Sequence, residues 1–369
     1  MKKINLIFFH PYSGLGGADR SIARVINNLD QNIFNFHFIT ISKPNIKLFL
    51  KKKVFFHKIN STRTLFSIFK IRRILKNIND NKKKNIFVSN QNFANILSFL
   101  ILINFKNFKH ILIERNSLDE LSYSKNFPDF FKKKIIKYFI KILYKYSDLV
   151  ICISKKLSQE IKEYTGAKTK IIYNPALDNS IFEKNFKYSK IKSNENIIIN
   201  VARLEIQKDQ ITLLRAFKNI QDKKNYKLII IGYGSYYFAL KNFIQQNRLQ
   251  KKVKIIRKIK NANTYLKKAK LFVLCSKYEG FGNVLIEAGI NKIPIISSNC
   301  KHGPTEILEN GKYGDLFKVG DHIELTRKIE NFIINPQKLI KKSNKFYKSL
   351  KRFNTKKIII EYKKSLLNV

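Results

Sequence analysis

The chain has 369 residues, with 73 Lys and Arg against 25 Asp and Glu, a formal net charge of +48. It is 44% hydrophobic and 13% aromatic, which excludes a disordered basic tail and supplies apolar mass for one large or two ordinary domains. No apolar run reaches the roughly 20 residues of a membrane-spanning helix, and Cys152, Cys275 and Cys300 are too few and too scattered for a disulfide framework or a zinc site.

Taken in chain order, Lys2 and Lys3 precede a short apolar stretch, Ile4–Phe9, that runs into His10-Pro11. It is too short for a signal peptide and reads as a strand, so the expectation is a soluble, reduced, cytoplasmic protein. A glycine-rich turn and a helical pattern over Asp19–Leu29 follow, then a strand over Phe36–Ile41. Ile86–Ser89, Ile111–Glu114 and Leu149–Ser154 read as further strands with helices between them. The pattern restarts after residue 195 with Ile197–Val201, Leu228–Ile231, Val253–Ile256, Leu271–Cys275 and Ile293–Ser297. Strands alternating with helices predict parallel sheets covered on both faces. The expected organisation is an N-terminal Rossmann-like domain over 1–178, a polar linker over 179–195, and a second Rossmann-like domain over 196–352. A basic helix over 353–369 would pack back on the first domain. The fold class is α/β, two doubly wound domains, with ligands at the carboxyl ends of the strands and the cleft between the domains as the default site.

The charge points to nucleic acid, an anionic membrane or an anionic substrate. The 73 cations divide into 61 Lys and 12 Arg. The chain is also crowded with Asn, Ile, Phe and Tyr and lacks Trp, so codon bias toward A and T is an alternative origin of the excess. The lysines are spread along the whole chain, and Arg is scarce where base readout would want it.

Three segments carry chemistry. Ser13-Gly14-Leu15-Gly16-Gly17-Ala18-Asp19-Arg20 follows the first strand and opens a helix, so Gly16 and Gly17 can bring backbone amides and a helix N-terminus to an anion. It matches neither the dinucleotide fingerprint nor a Walker A loop. Asn200 to Asp209 closes the second half's first strand and carries Arg203 and Lys208, a forked guanidinium and a flexible ammonium suited to a diphosphate. The segment Ser276 to Gly289 is the most specific. It holds Glu279 in a glycine-rich loop and Glu287 inside the next helix, with Gly282, Asn283, Val284 and Leu285 at the helix mouth. Carboxylates at that spacing can accept from vicinal hydroxyls while helix amides face phosphate.

Several motifs together resemble the retaining glycosyltransferase family 4, which has the GT-B fold. They are EGFGNVLIEAG with its paired glutamates, ARLEIQKD, the turn Gly232-Tyr233-Gly234, GLGGADRSIARVI, Cys152-Ile153-Ser154 and Asn174-Pro175, in family order over nearly the whole chain. The resemblance implies that Arg203 and Lys208 bind the donor diphosphate and that Glu287 holds the nucleotide ribose. Glu279 would touch the transferred sugar, and Gly16, Gly17 and Gly232 would line the donor site. Glu279, Arg203 and Lys208 are thus the expected catalytic set. It also implies two domains closing over a nucleotide sugar, by default a UDP-sugar, and retention of anomeric configuration without a protein nucleophile. No D-x-D occurs in the sequence, so no metal or other cofactor is expected, and cations and helix dipoles would hold the diphosphate. Many family members place a histidine after an N-domain strand. Here His110 precedes the strand and reads as an exposed loop histidine, while Glu114, Arg115 and Asn116 are the candidates for contact with sugar or acceptor. The Glu-Arg-Asn variant together with His302 to Leu308 resembles a subgroup that builds surface polysaccharide and lipid-linked glycans from hexose or N-acetylhexosamine donors. His302, Cys275 and Cys300 read as loop and packing residues.

Residues Phe130–Tyr146 predict an amphipathic helix. Phe131, Ile135, Tyr138, Phe139, Ile142, Leu143 and Tyr146 lie on one broad face, expected to pack on the sheet. Lys133, Lys134, Lys137, Lys141 and Lys145 lie on the other, available to anionic lipid. The expected partners are a nucleotide-sugar donor, a glycan or polyprenyl-linked acceptor, and the inner membrane face, with no specific nucleic acid. A nucleotide-sugar epimerase on the same fold is the alternative enzyme, separable by turnover without acceptor; a basic nucleic-acid-binding protein is the alternative of another class.

Overall fold

The computed structural model describes residues 3–13, 16–61, 64–80, 83–123, 126–177, 195–221, 225–257, 259 and 262–369. Gly14, Leu15 and nearly all of the expected 179–195 linker lie outside them. The chain divides into two compact units, one of residues 1–179 and 353–369, the other of residues 180–352.

The first unit is built on β1 (Ile4–Phe9), β2 (Phe34–Thr40), β3 (Phe55–Lys58), β4 (Asn85–Asn90), β5 (Phe108–Glu114), β6 (Leu149–Cys152) and β7 (Thr169–Ile171). They form one parallel sheet in the order β3-β2-β1-β4-β5-β6-β7. Its helices are α1 (Gly17–Asn28), α2 (Ile68–Ile78), α3 (Asn92–Leu102), α4 (Phe127–Leu143) and α5 (Lys155–Thr165). The second unit has β8 (Asn196–Val201), α6 (Gln210–Asn219), β9 (Tyr226–Ile231), α7 (Tyr237–Gln246), β10 (Val253–Ile256), α8 (Asn263–Leu266), β11 (Leu271–Leu274), α9 (Asn283–Ile290), β12 (Ile295–Ser298), α10 (Pro304–Ile307), β13 (Asp315–Phe317), α11 (His322–Ile334) and α12 (Gln337–Ser349). Its parallel sheet runs β10-β9-β8-β11-β12-β13. The last helix, α13 (Thr355–Leu367), belongs to the first unit. Asn354 caps it by accepting from the Lys356 amide, and the Thr355 amide donates to the Leu177 carbonyl. Its residues Ile358, Ile359, Tyr362 and Leu366 share a core with Ile22 and Ile26 of α1 and Leu6 and Phe8 of β1.

The central strands are largely apolar because both sheet faces are covered. β1 reads INLIFF and every residue after Ile4 is buried. On the other face of the same sheet, Ile7, Phe9 and Phe87 meet Ile71 and Leu75 of α2 and Leu97 and Ile101 of α3. In each sheet the strand order turns back on itself beside the first strand, between β1 and β4 and between β8 and β11. A doubly wound sheet opens a crevice at such a switch point. It is there that the polar side chains collect.

Two expectations are corrected. His110 is not an exposed loop residue. β5 begins at Phe108 and carries His110 inside it, buried, with Nε2 2.6 Å from the Ser98 Oγ of α3. Helix α4 begins at Phe127, and its broad apolar face does not pack on the sheet. Only Ile136 and Ile140 are buried, whereas Phe131, Ile135, Tyr138 and Phe139 are exposed. The helix lies against α3 and α5, and the stripe it buries is only as wide as two isoleucines one turn apart.

Candidate functional site

In the second unit, β8 ends at Val201 and the chain leaves the sheet through Ala202, Arg203 and Leu204. It turns through a short 3-10 segment, Ile206–Lys208, and reverses at Asp209 with φ +45° before α6. This left-handed residue marks a backbone held by its surroundings. Gln207 fastens the turn to the loop after β11. Its carbonyl accepts from the Lys277 amide at 2.8 Å, and its Nε2 donates to the Tyr278 carbonyl at 2.9 Å. The Lys208 Nζ thereby reaches Glu279 Oε1 at 2.5 Å, and the Ser276 hydroxyl donates to the same oxygen at 2.7 Å. Glu279 is buried and Lys208 half-buried, while Arg203 is exposed, its guanidinium 3.3 Å from the Gln207 side-chain oxygen. Thus Lys208 and Glu279, 71 residues apart in sequence, meet where β8 and β11 diverge, with Arg203 held nearby through Gln207. A charge pair this far out of water is stronger than one on an open surface, and it is also poised to exchange partners with an anion.

The helix after this loop, α9, starts at Asn283 behind Gly282, which has φ +95°. That left-handed turn is why glycine stands there. Asn283 Oδ1 is buried and accepts no hydrogen bond from the described residues. Glu287 is the fifth residue of α9 and half-buried. Two residues on, a Cβ at Gly289 would lie 2.4 Å from the Phe346 ring of α12. Glu287 is therefore about 200° around the helix from the face packed on α12.

Gly232 has a packing reason of its own. A Cβ there would lie 1.8 Å from the Ala202 carbonyl oxygen, because the loops after β8 and β9 cross backbone to backbone. Leu204 donates to the Tyr233 carbonyl and accepts from the Tyr236 amide. Gly232→Ala must part these loops. It is expected to destabilise the second unit by about 1–3 kcal/mol, read as a lowered thermal midpoint; an unshifted midpoint would count against this packing.

The first unit has its own polar cluster at the β1–β4 switch point. Gly16 caps α1, and a Cβ there would meet nothing within 4 Å among the described residues, so their packing does not demand glycine; Gly17 is exposed. Asp19, in the first turn of α1, is buried, accepting from the Ser13 hydroxyl at 2.9 Å and lying 3.6 Å from His10 Nε2. Burial, with the charge of Arg115, pushes the His10 pKa down to about 4. After β4, Gln91 takes φ +75°.

Glu114 closes β5 and is 1% exposed. Its Oε1 accepts from the amides of Arg115 and Asn116, and its Oε2 from the Tyr144 hydroxyl at 2.7 Å and the Asn95 amide. Burial pushes its pKa up to about 7. With both oxygens taken by the chain, Glu114 shapes the loop rather than reaching into solvent, contrary to its expected contact with sugar or acceptor. Arg115 is also buried. It donates to Asn90 Oδ1 at 3.0 Å, to Asn174 Oδ1 at 2.5 Å and to the Ser21 hydroxyl, and one guanidinium nitrogen meets no acceptor among the described residues. Asn116 is half-buried.

Sequence reasoning gave no role to His10, Asp19, Asn90, Asn174 and Tyr144, although Asp19 and Asn174 stand in motifs that carried the resemblance. Part of the signal was available: His10 and Asn90 are polar residues set at the carboxyl ends of largely apolar strand cores, Leu6–Phe9 and Ile86–Val88.

Comparison with known proteins agrees with this layout. Residues 15–176 match Glycosyltransferase Family 4 and residues 181–353 match Glycosyl transferases group 1. An uncharacterized glycosyltransferase of Methanocaldococcus jannaschii is 33% identical over 298 residues, covering 75% of this chain and 71% of that protein. This chain is a family 4 glycosyltransferase. Among other relatives of this glycosyltransferase, the N-acetylgalactosamine-N,N'-diacetylbacillosaminyl-diphospho-undecaprenol 4-alpha-N-acetylgalactosaminyltransferase of Campylobacter jejuni is 24% identical over 387 positions, covering all of both chains. The crystal structure of Anabaena HepE in complex with UDP and glucose superposes with a TM-score of 0.81 at 17% identity, covering 99% of this chain and 100% of that one. That likeness establishes the GT-B fold of the glycosyltransferase.

Proposed function

We propose that the enzyme transfers a hexose or N-acetylhexosamine from a nucleotide sugar, with UDP as the nucleotide, to a lipid-linked glycan, with retention and without a metal. The contact of Lys208 with Glu279 across the β8–β11 switch point carries this reading. It sets a mobile ammonium and a carboxylate beside the exposed Arg203 and the N-terminus of α9, a combination suited to a diphosphate and a sugar hydroxyl. The bound UDP and glucose of HepE and the undecaprenol-linked acceptor named for the Campylobacter relative support donor and acceptor class.

On this reading Arg203, Lys208 and the α9 amides take the charge that develops on the leaving diphosphate as the C1–oxygen bond breaks. The acceptor oxygen bonds to C1 on the same face and passes its proton to the departing phosphate. Glu279 orients the sugar, Glu287 the ribose, and the work is positional and electrostatic. A thermal-shift screen across nucleotide sugars tests the donor, since a ligand that binds only the folded state raises the midpoint. Arg203→Ala and Glu287→Ala are each expected to weaken nucleotide binding by about tenfold or more, the loss of one charged hydrogen-bonding partner. Unchanged binding in both variants would place the site elsewhere.

A further inference from the structure

The outward face of α4 has no part in either polar cluster. Set against the buried Ile136 and Ile140, the opposite side of the helix carries Phe127, Phe131, Ile135 and Tyr138, which are 73%, 50%, 54% and 61% exposed. At 100° per residue these four lie within about 80° of one another, centred opposite the buried pair. Monomeric proteins seldom expose a contiguous apolar stripe of this kind. Lysines flank it, with Lys134 and Lys141 on one border and Lys132 on the other. The Lys134 ammonium sits over the Phe130 ring at 4.5 Å. Asp129 is the helix's one acidic residue, and it pairs with Lys133 at 3.1 Å.

We propose that this face is an interfacial anchor, its aromatic stripe entering the headgroup–acyl boundary of an anionic lipid surface while the flanking lysines meet the headgroups. The chemistry matches on both counts. An apolar stripe bordered by lysines is the pattern of a helix lying in a membrane interface, where Lys stems run along the apolar zone and their ammonium groups reach the phosphates. The charge selects lipid over a second copy of the chain, because a face-to-face dimer would bring Lys132, Lys134 and Lys141 of both copies together with one acidic residue on each helix. The neighbouring helices also expose apolar side chains: Phe66 in the turn before α2, Phe69 in its first turn, and Leu100 and Ile103 at the end of α3. Arg72 fixes that end of α3 by donating to the Ile101 and Ile103 carbonyls at 2.9 and 2.8 Å. The anchor deepens the lipid-linked acceptor reading but does not need it, since vesicles without acceptor suffice to test it.

The chain contains no tryptophan, so Phe131→Trp makes a protein with a single indole reporter. With vesicles of phosphatidylglycerol and phosphatidylcholine, its emission is expected to shift to the blue and to be quenched by brominated acyl chains. In flotation assays the wild type is expected to stay partly vesicle-bound at 0.5 M salt, where screening reduces the Debye length to roughly 4 Å. The triple substitution Phe131→Ser, Ile135→Ser, Tyr138→Ser should lower vesicle affinity at least tenfold, yet keep the UDP-induced thermal shift, which shows that it folds. Absence of binding, binding abolished by salt without quenching, or a dimer that the triple substitution disperses would each overturn the anchor. Loss of the UDP shift in the wild type would overturn the donor-site reading and leave this one standing.

Discussion

Glu279→Ala is expected to lower kcat about 10²–10³-fold, the usual loss when one preorganised electrostatic group is removed from an active site, while nucleotide affinity stays level or rises. The two halves of this expectation have one cause. Glu279 Oε1 holds the Lys208 ammonium at 2.5 Å and accepts from Ser276. A diphosphate that recruits Lys208 must draw it from the carboxylate, and deleting the carboxylate removes that competition. On the proposed reading the sugar meanwhile loses the acceptor that orients it, a loss felt in the transition state more than in binding. Steady-state kinetics with titration of UDP separate the outcomes. A parallel loss of kcat and of UDP affinity would mean that Glu279 serves only to hold the loop between β11 and α9. Lys208→Met gives the opposite split, with nucleotide affinity falling along with turnover.

The glycosyltransferase architecture was legible where an element is a run of apolar residues, whether central as in β1 or at a sheet edge as in β10, Val-Lys-Ile-Ile. β1 and β10 match their expected bounds, and the other expected strands are each found with their ends shifted by one to three residues. The three strands that sequence reasoning passed over, β3, β7 and β13, are all at sheet edges. An edge strand has one hydrogen-bonding neighbour and little to bury, so β3 reads Phe-Phe-His-Lys with no residue fully buried and leaves no apolar run to find. The same holds for sites. Glu279 could be named because its glycine-rich loop at a strand end constrains residue type locally, and Arg203 and Lys208 because they close a strand at its carboxyl end within a family motif. The cluster around Arg115 could not, because Asn90, Asn174 and Ser21 are brought to it from three distant segments. Helix α4 shows the limit of periodicity. An amphipathic pattern tells which residues share a face, but which face turns inward depends on what lies beneath, and here α3 and α5 cover only Ile136 and Ile140. The charge of +48 stands apart from these. It names neither fold nor reaction, and its informative part is the handful of lysines placed beside Glu279 and along α4.

The first unit is expected to lose about 3 kcal/mol of stability as pH falls from 6.5 to about 4. His10 and His110 are both buried, and burial first of all, with Arg115 acting also on His10, pushes each from 6.5 down to about 4. In the unfolded chain they take up protons near 6.5. In the folded unit they stay neutral, so the stability they contribute is present above 6.5 and is lost as pH falls toward 4, about 3 kcal/mol for each. Glu114 acts with the opposite sign. Burial pushes its pKa from 4.5 up to about 7, so it favours the folded state below 4.5 and gives that up as pH rises through 7, an effect of about the same size. Two histidines against one carboxyl leave the net loss stated, and His37, half-buried and likewise pushed down to about 4, adds to it in the same direction. Hydrogen exchange at the β1 and β5 amides across this pH range reads the first unit by itself. Glu114→Gln keeps the shape of the side chain and removes its proton equilibrium, so the loss on acidification should grow to about 6 kcal/mol. A flat profile, or a slope that Glu114→Gln leaves unchanged, would mean that these groups titrate in contact with water and that the polar floor beneath the β1–β4 switch point is open.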